Sequence, residues 1–138
     1  MADENKAEVS YVNPPSLEPP PGYSHVVDVR GNRLIFIAGQ TAMNAHGIVV
    51  GGNDIEAQTD HAFRKLSVAL QSVGCDVGNL VKLTVFIRDM NKLADYRRAR
   101  DRFLKTVNPP VAPAITIVEV SRLFADDLLI EIEGIAAA

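Results

Sequence analysis

Two glutamates near the C-terminus are the side chains of this sequence best suited to chemistry. Glu131 and Glu133 lie in the segment Leu128–Ile135, whose other residues are all apolar or glycine. Residues two apart on a β-strand leave the same face, about 7 Å apart, so the two carboxylates would share one side. Glu131 could hold a water molecule or act as an acid or base. The alternative is a structural carboxylate, paired for instance with Arg122, and we expect Glu119 and Glu133 to be structural.

Two further residues could bind a ligand. Tyr23 follows a proline-rich segment and could line a cleft, although simple packing would explain it as well. Arg97 lies in a segment with helical spacing and could anchor an anion. The alternative for Arg97 is a surface ion pair with Asp101, one helical turn further on. The neighbouring arginines are interrupted by acidic residues, which is typical of a solvated helix face.

The N-terminal part of the chain predicts extended structure. Residues 1–22 are polar and then rich in proline, so we expect an N-terminal arm rather than a helix. Apolar runs at Val26–Arg30 and Arg33–Ala38 surround Gly31-Asn32, a sequence typical of a β-hairpin turn. A short strand is possible at Ile48–Val50.

The remaining elements follow from apolar periodicity and stop signals. Helical spacing between Ile55 and Val73 predicts a helix capped by Asn53 and ended by Gly74. Residues 81–88 predict a strand, and a second helix is expected after Asn91, ending before two prolines. Two strand-like segments rich in β-branched residues follow, at residues 112–123 and 128–135.

This order of elements predicts one α+β domain, residues 23–138, with two helices covering one face of a sheet. Yet Leu34–Ala38 and Val81–Arg88 are apolar on both faces. A solvated sheet face would alternate apolar and polar residues. We therefore expect another subunit to bury the face that the helices leave uncovered.

Composition excludes several classes of protein. The net charge is −3 and the pI is about 5.5, which does not favour nucleic acid as a partner. One cysteine cannot form an internal disulfide, and three scattered histidines give no metal-ligand spacing. We therefore expect no cofactor or metal. The acidic start has no apolar signal core and no apolar run reaches about 18 residues, so we expect a cytoplasmic protein without a membrane span.

Several motifs resemble the RidA family, also called YjgF or L-PSP. The family signature runs Pro-Ala-Arg-Ser-x-Val-Glu-Val-Ala-Arg-Leu and then Ile-Glu-Ile-Glu-Ala-Ile-Ala. The residues that fit the two parts of this signature are Pro113, Ala114, Val118, Glu119, Val120, Arg122, Leu123, Ile130, Glu131, Ile132, Glu133 and Ile135. Ala38-Gly39-Gln40 stands where the family has Ser-Gly-Gln, and Thr84–Asn91 stands where it has Thr-Val-Phe-Val-Lys-Asp-Leu-Asn. The resemblance covers roughly residues 23–135. It implies a chorismate-mutase-like mixed sheet and a homotrimer whose sheets face a central barrel, with small-molecule sites in clefts between subunits.

The resemblance also implies a site. Glu131 falls on the glutamate that positions the hydrolytic water, Tyr23 on a cleft tyrosine, and Ile117 on a backbone N–H that helps to bind the substrate carboxylate. Three positions depart from the family pattern: Ala38 replaces a serine, Arg97 an asparagine, and Ile115 the arginine that binds the carboxylate. The implied site is catalytic Glu131 with the substrate-binding residues Tyr23, Ala38, Gly39, Arg97, Ile115 and Ile117.

The substitution at Ile115 decides which function we expect. Losing one partner of a buried charge pair costs about 2–5 kcal/mol. We therefore expect weak or absent hydrolysis of 2-iminopropanoate and 2-iminobutanoate, with a different imine, enamine or related C–N compound as substrate. The alternative is a non-catalytic trimer that binds a metabolite or regulates a partner. RNA cleavage, suggested by an older family name, is less favoured because the chain is acidic and lacks aromatic stacking motifs.

Overall fold

The computed structural model describes residues 7–31 and 33–138, which fold as an α+β domain, as predicted. Within these residues, neither helix is long and apolar enough to cross a bilayer. The elements in chain order are strands β1 (Glu8–Val12), β2 (Val26–Arg30) and β3 (Leu34–Thr41), helix α1 (Ile55–Gln71), strand β4 (Leu80–Ile87), helix α2 (Leu93–Leu104), and strands β5 (Ala114–Glu119) and β6 (Ile130–Ala137).

The main sheet has four strands in the order β3-β6-β4-β5. Strands β4 and β5 are parallel, because helix α2 carries the chain back between them, and the other two pairings are antiparallel. The sheet is therefore mixed, as the resemblance implied. Its two edge strands are β3 and β5, which lie at opposite sides of the domain.

Helices α1 and α2 cover one face of this sheet, as predicted. Buried side chains of β4 and β6 on this face, such as Leu83 and Ile132, form the core with Phe63 and Leu66 of α1. The other face, which we call the open face, is uncovered within the chain. Its apolar side chains are prominent: Phe36 is 72% exposed and Leu34 is 60% exposed. The open face carries Leu34, Phe36, Ala38, Lys82, Thr84, Phe86, Thr116, Val118, Glu131, Glu133 and Ile135.

The expected hairpin between β2 and β3 is wrong, although Asn32 of its turn lies outside the described residues. Strand β2 pairs with β1 in a separate two-stranded sheet, where Glu8 lies opposite Arg30. Strand β3 pairs with β6 from its start, because Arg33 and Ala138 exchange backbone hydrogen bonds of 3.1 Å. The predicted N-terminal arm therefore contributes strand β1, and β2 pairs with this strand rather than with the main sheet.

The helix caps are displaced from the expected residues. Asp54, not Asn53, caps α1, and its Oδ1 accepts a 3.2 Å hydrogen bond from the Ala57 N–H. A short 3₁₀ turn that precedes α2 is capped by Asp89 rather than Asn91. Gly74 lies beyond the end of α1 with φ +75°, as a helix stop requires. The possible strand at residues 48–50 is a single β-bridge between Met43 and Val49.

One buried polar side chain joins α1 to the segment that enters β6. The Gln58 amide is fully buried and donates to the carbonyls of Gly52 and Asp127, at 2.8 and 2.9 Å. Its oxygen accepts a 2.9 Å bond from the Leu129 N–H. Since a buried amide must be paired, this one side chain fixes both loops and so the start of the strand that carries Glu131.

Candidate functional site

The predicted site residues divide into two groups at different parts of the sheet. Ala38, Gly39 and Glu131 lie on β3 and β6, and we call them the β3–β6 half-site. Arg97 lies on α2, and Ile115 and Ile117 lie on β5. Tyr23 lies in the segment before β2, beside α2. We call these four residues the α2–β5 half-site. The edge strands β3 and β5 are separated by three strand spacings, about 14 Å. The structure therefore brings Gly39 and Glu131 together, and it separates them from Ile115 and Ile117 within one chain.

A β-bulge shapes the β3–β6 half-site. Ile37 pairs with Gly134 and Gln40 with Ile132, so Ala38 and Gly39 together oppose the one residue Glu133. A Cβ on Gly39 would lie only 2.7 Å from Cδ of Glu131. Glycine is therefore the residue that lets the Glu131 carboxyl group lie against the bulge.

The Glu131 carboxylate is available for chemistry. Its side chain is half-buried and makes no hydrogen bond or ion pair with another described residue, Arg122 included. Both of its oxygens can therefore accept from a water molecule or a ligand. Glu119, in contrast, is structural as expected, because its Oε1 accepts a 2.9 Å hydrogen bond from the Met90 N–H.

Ile115 and Ile117 point to the other side of the sheet from Glu131. They pair with Leu83 and Val85, both fully buried beneath the helices, and they pack against that core. Aligned residues on neighbouring strands share a face, so Ile115 lies on the helix-covered face whereas Glu131 lies on the open face. Within one chain they cannot act on the same small molecule.

The backbone N–H of Ile117 is placed to bind a ligand. The Val120 N–H donates to the Ile87 carbonyl at 2.9 Å. Backbone groups alternate in direction along a strand, so the Ile117 N–H points away from β4. Because β5 is an edge strand, this donor lies at the free edge of the sheet, where a ligand or another subunit can approach it.

Tyr23 lies in a groove between α2 and the segment that leads into β5. The groove has a volume of about 380 Å³ and is also lined by Asp101, Leu104 and Ala112. The Tyr23 ring contacts His25 edge to face, with centroids 5.6 Å apart. Tyr23 therefore lines a concavity beside α2.

The buried Arg100 holds the chain before Tyr23 against α2, which sequence reasoning missed. Its guanidinium is 5% exposed, donates to the Pro21 carbonyl at 3.1 Å and pairs with Asp101 at 3.0 Å. Gly22, with φ +83°, passes directly over it, and a Cβ there would lie 3.0 Å from Cζ of Arg100. The glycine after three prolines was the one sequence signal of this close approach.

Arg97 does not make the expected surface ion pair with Asp101, whose Oδ1 instead accepts two hydrogen bonds from Arg100. The side chain of Arg97 is half-buried, and its Nε is buried without a hydrogen-bond partner in the described part of the chain. Its neighbour Arg98 instead reaches Glu56 of α1, at 3.3 Å. Arg97 is thus the α2 arginine whose charge the described residues leave uncompensated.

The exposed arginines of α2 form an ion-pair network with α1. Arg102 pairs with Glu56 and Asp60 at 2.9 Å, and Arg98 pairs with Glu56 and Asp95. Hydrogen bonds from Arg102 and Arg98 hold the pKa of Glu56 below its usual value. The predicted solvated basic face is therefore exposed but matched by carboxylates.

Comparison with known proteins identifies the family. A family model described as Endoribonuclease L-PSP matches residues 15–138. The chain belongs to this RidA/YjgF family. A RutC family protein of Pasteurella multocida is 39% identical over 114 residues, which are 83% of this chain and 85% of the relative. The 2-iminobutanoate/2-iminopropanoate deaminase of Escherichia coli K12 is 35% identical over the same shares of the two chains.

A solved structure confirms the RidA-like fold. A conserved Rid family protein of Yersinia pestis superposes with a TM-score of 0.86 and is 31% identical, covering 94% of this chain and 98% of its own. The mixed sheet with two helices on one face is therefore the family fold, as the resemblance implied.

Proposed function

We propose that this chain forms a homotrimer in which the open faces surround a central barrel. The main support for this proposal is that the predicted site residues are divided between two edges of the chain. The β3–β6 and α2–β5 half-sites lie at different edges of one chain, so a complete cleft requires the edges of two neighbouring subunits. Assembly through the open face would also bury Phe36 and Leu34, which are mostly exposed in the single chain.

In this cleft we propose hydrolysis of a small reactive imine or enamine. The Glu131 carboxylate accepts a hydrogen bond from a water molecule and takes its proton as the oxygen attacks the carbon of the protonated imine, whose nitrogen receives the electron pair of the C=N π bond. Glu131 passes this proton to the nitrogen of the resulting carbinolamine, the C–N bond breaks to release ammonia, and loss of the hydroxyl proton to solvent leaves a carbonyl compound. The unpaired carboxylate of Glu131, lying against the Gly39 bulge, supports this role. The deaminase name of the E. coli relative supports the reaction class.

Ile115 alters which substrate this cleft accepts. An isoleucine side chain that packs against the core cannot pair with an anion. Without a compensating group, a substrate carboxylate would lose about 2–5 kcal/mol of binding. We therefore expect hydrolysis of 2-iminopropanoate and 2-iminobutanoate to be slower than in arginine-bearing relatives.

The test compares two glutamates of the same strand. A panel of imines generated in situ, with and without a carboxylate, is followed through trapping of the surviving imine. Wild-type protein should accelerate the decay of at least one imine. Glu131→Gln should abolish this acceleration, whereas Glu133→Gln should retain it. Acceleration that survives Glu131→Gln would refute the mechanism. A trimer that accelerates no imine in the panel would favour the non-catalytic, metabolite-binding alternative.

A further inference from the structure

One charge on α2 lacks a partner. Arg98 and Arg102 contact carboxylates of α1, and Arg100 contacts Asp101 and a carbonyl. Arg97 makes no ion pair with any described residue, and its Nε is buried without an acceptor. A buried polar group without a partner calls for a physical explanation, and an absent ligand or subunit is one.

Helix geometry predicts that Arg97 lies beside the start of β5. Asp101 and Leu104 line the groove against Ala112, and Arg97 lies on the same side of α2, one turn earlier. Helix α2 runs antiparallel to β5, because it connects two parallel strands. Four residues back along a helix span about 6 Å. The same distance is about two residues forward along a strand, which places Arg97 level with residues 114–115.

Two buried hydroxyls of the same region also lack partners. The Ser24 and Tyr96 side chains are each 1% exposed, and neither Oγ nor Oη finds a hydrogen-bond partner among the described residues. The Ser24 N–H donates to the Pro113 carbonyl at 3.2 Å, immediately before β5, and Tyr96 precedes Arg97 on α2. Burial raises the pKa of Tyr96 to about 12, so its hydroxyl remains protonated at neutral pH. Ser24, whose backbone contacts the residue before β5, is thus a further buried polar group without a partner among the described residues.

We propose that Arg97 binds the carboxylate of a small ligand from the helix, in place of the strand arginine that Ile115 lacks. This inference rests on the cleft of the proposed function and names its ligand class, a small carboxylic acid. A guanidinium can bind a carboxylate through two parallel hydrogen bonds. The Ile117 N–H at the free edge supplies a further donor from β5. The cleft thus still binds an anion, but through the guanidinium of Arg97 on α2 rather than through an arginine on β5.

The test uses one charged probe and one neutral probe of the same shape. Pyruvate and pyruvamide are titrated by calorimetry into wild-type trimer, Arg97→Met and the matched control Arg98→Met, which removes an adjacent, already paired arginine. Arg97→Met should weaken pyruvate binding about 30-fold or more and leave pyruvamide binding unchanged. Arg98→Met should change pyruvate binding less than about twofold, as expected for an exposed pair. Wild-type affinity in Arg97→Met, or no pyruvate binding by the wild type, would overturn the inference.

The two proposals can fail separately. Imine hydrolysis that depends on Glu131 but is equally fast in Arg97→Met, for substrates with and without a carboxylate, keeps the proposed reaction and overturns the Arg97 inference. Pyruvate binding that depends on Arg97 in a protein that hydrolyses no imine supports the inference and overturns the proposed reaction. Arg97→Lys guards against a packing artefact: because it keeps the charge, it should retain more pyruvate binding than Arg97→Met in a trimer of equal thermal stability.

Discussion

Phe36 gives the sharpest test of the proposed assembly. Its ring is 72% exposed in the single chain and stands on the open face beside Lys82 and Ile135. Burying a phenylalanine side chain contributes about 1.5–3 kcal/mol. A trimer buries three copies, so Phe36→Glu should weaken assembly by about 5–9 kcal/mol. That free energy corresponds to a shift of roughly 10³- to 10⁶-fold in the monomer–trimer equilibrium constant.

Sedimentation velocity at micromolar concentration measures this shift directly. The matched control is Val68→Glu, which places the same charge on the outer side of α1, where Val68 is 61% exposed. The control should sediment as a trimer, whereas Phe36→Glu should sediment as a folded monomer with unchanged helix content. A Phe36→Glu protein that remains trimeric would show that the open face is not the interface, and equal dissociation of both variants would show a non-specific effect.

Three further predictions concern the site and the stability of the fold. Gly39→Ala should slow imine hydrolysis severalfold with little change in unfolding free energy, because the added methyl group displaces the flexible Glu131 carboxylate. An unaltered rate would contradict the role of the bulge in placing this carboxylate. Gln58→Leu should cost about 2–4 kcal/mol in urea unfolding, since it leaves buried loop groups unpaired, whereas the exposed Gln71→Leu should cost little. Glu56 has a lowered pKa in the folded state, so its ion pairs stabilise the fold above the unfolded pKa of about 4.3, and this contribution is lost as the pH falls through the folded pKa. Glu56→Gln should therefore make stability less dependent on pH in this acidic range, and an identical pH profile would refute that assignment.

The main elements could be predicted because their signals are local. Helical spacing identified both helices, and β-branched alternation identified the strands that carry Ile115 and Glu131. The two-sided apolar pattern predicted the open face, whose exposed Phe36 the structure then showed. The predicted positions of the helix caps were wrong by one or two residues, because nearby Asn and Asp side chains compete for the same backbone N–H groups.

Long-range pairing was beyond the sequence. The Gly31-Asn32 signal predicted that β2 pairs with β3. Instead, β2 pairs with β1 of the N-terminal arm, and β3 pairs with β6. The ion pair of Arg97 failed for a similar reason, because the adjacent Arg100 reaches Asp101 from a buried position over the Tyr96 ring. The faces of Ile115 and Glu131 depend on the register across β4, which motif spacing does not contain.

The placement of the half-sites at different edges has a genetic consequence. In the proposed trimer every cleft joins the β3–β6 edge of one subunit to the α2–β5 edge of the next. Two substitutions on different edges, carried by different chains, therefore need not fall in the same cleft. A ring that contains both Glu131→Gln and Arg97→Met chains holds one cleft in which both residues are intact. Two inactive alleles expressed together should therefore complement each other partially. In contrast, Glu131→Gln chains mixed with Gly39→Ala chains, both altered at the β3–β6 edge, should form no cleft in which Glu131 and Gly39 are both intact.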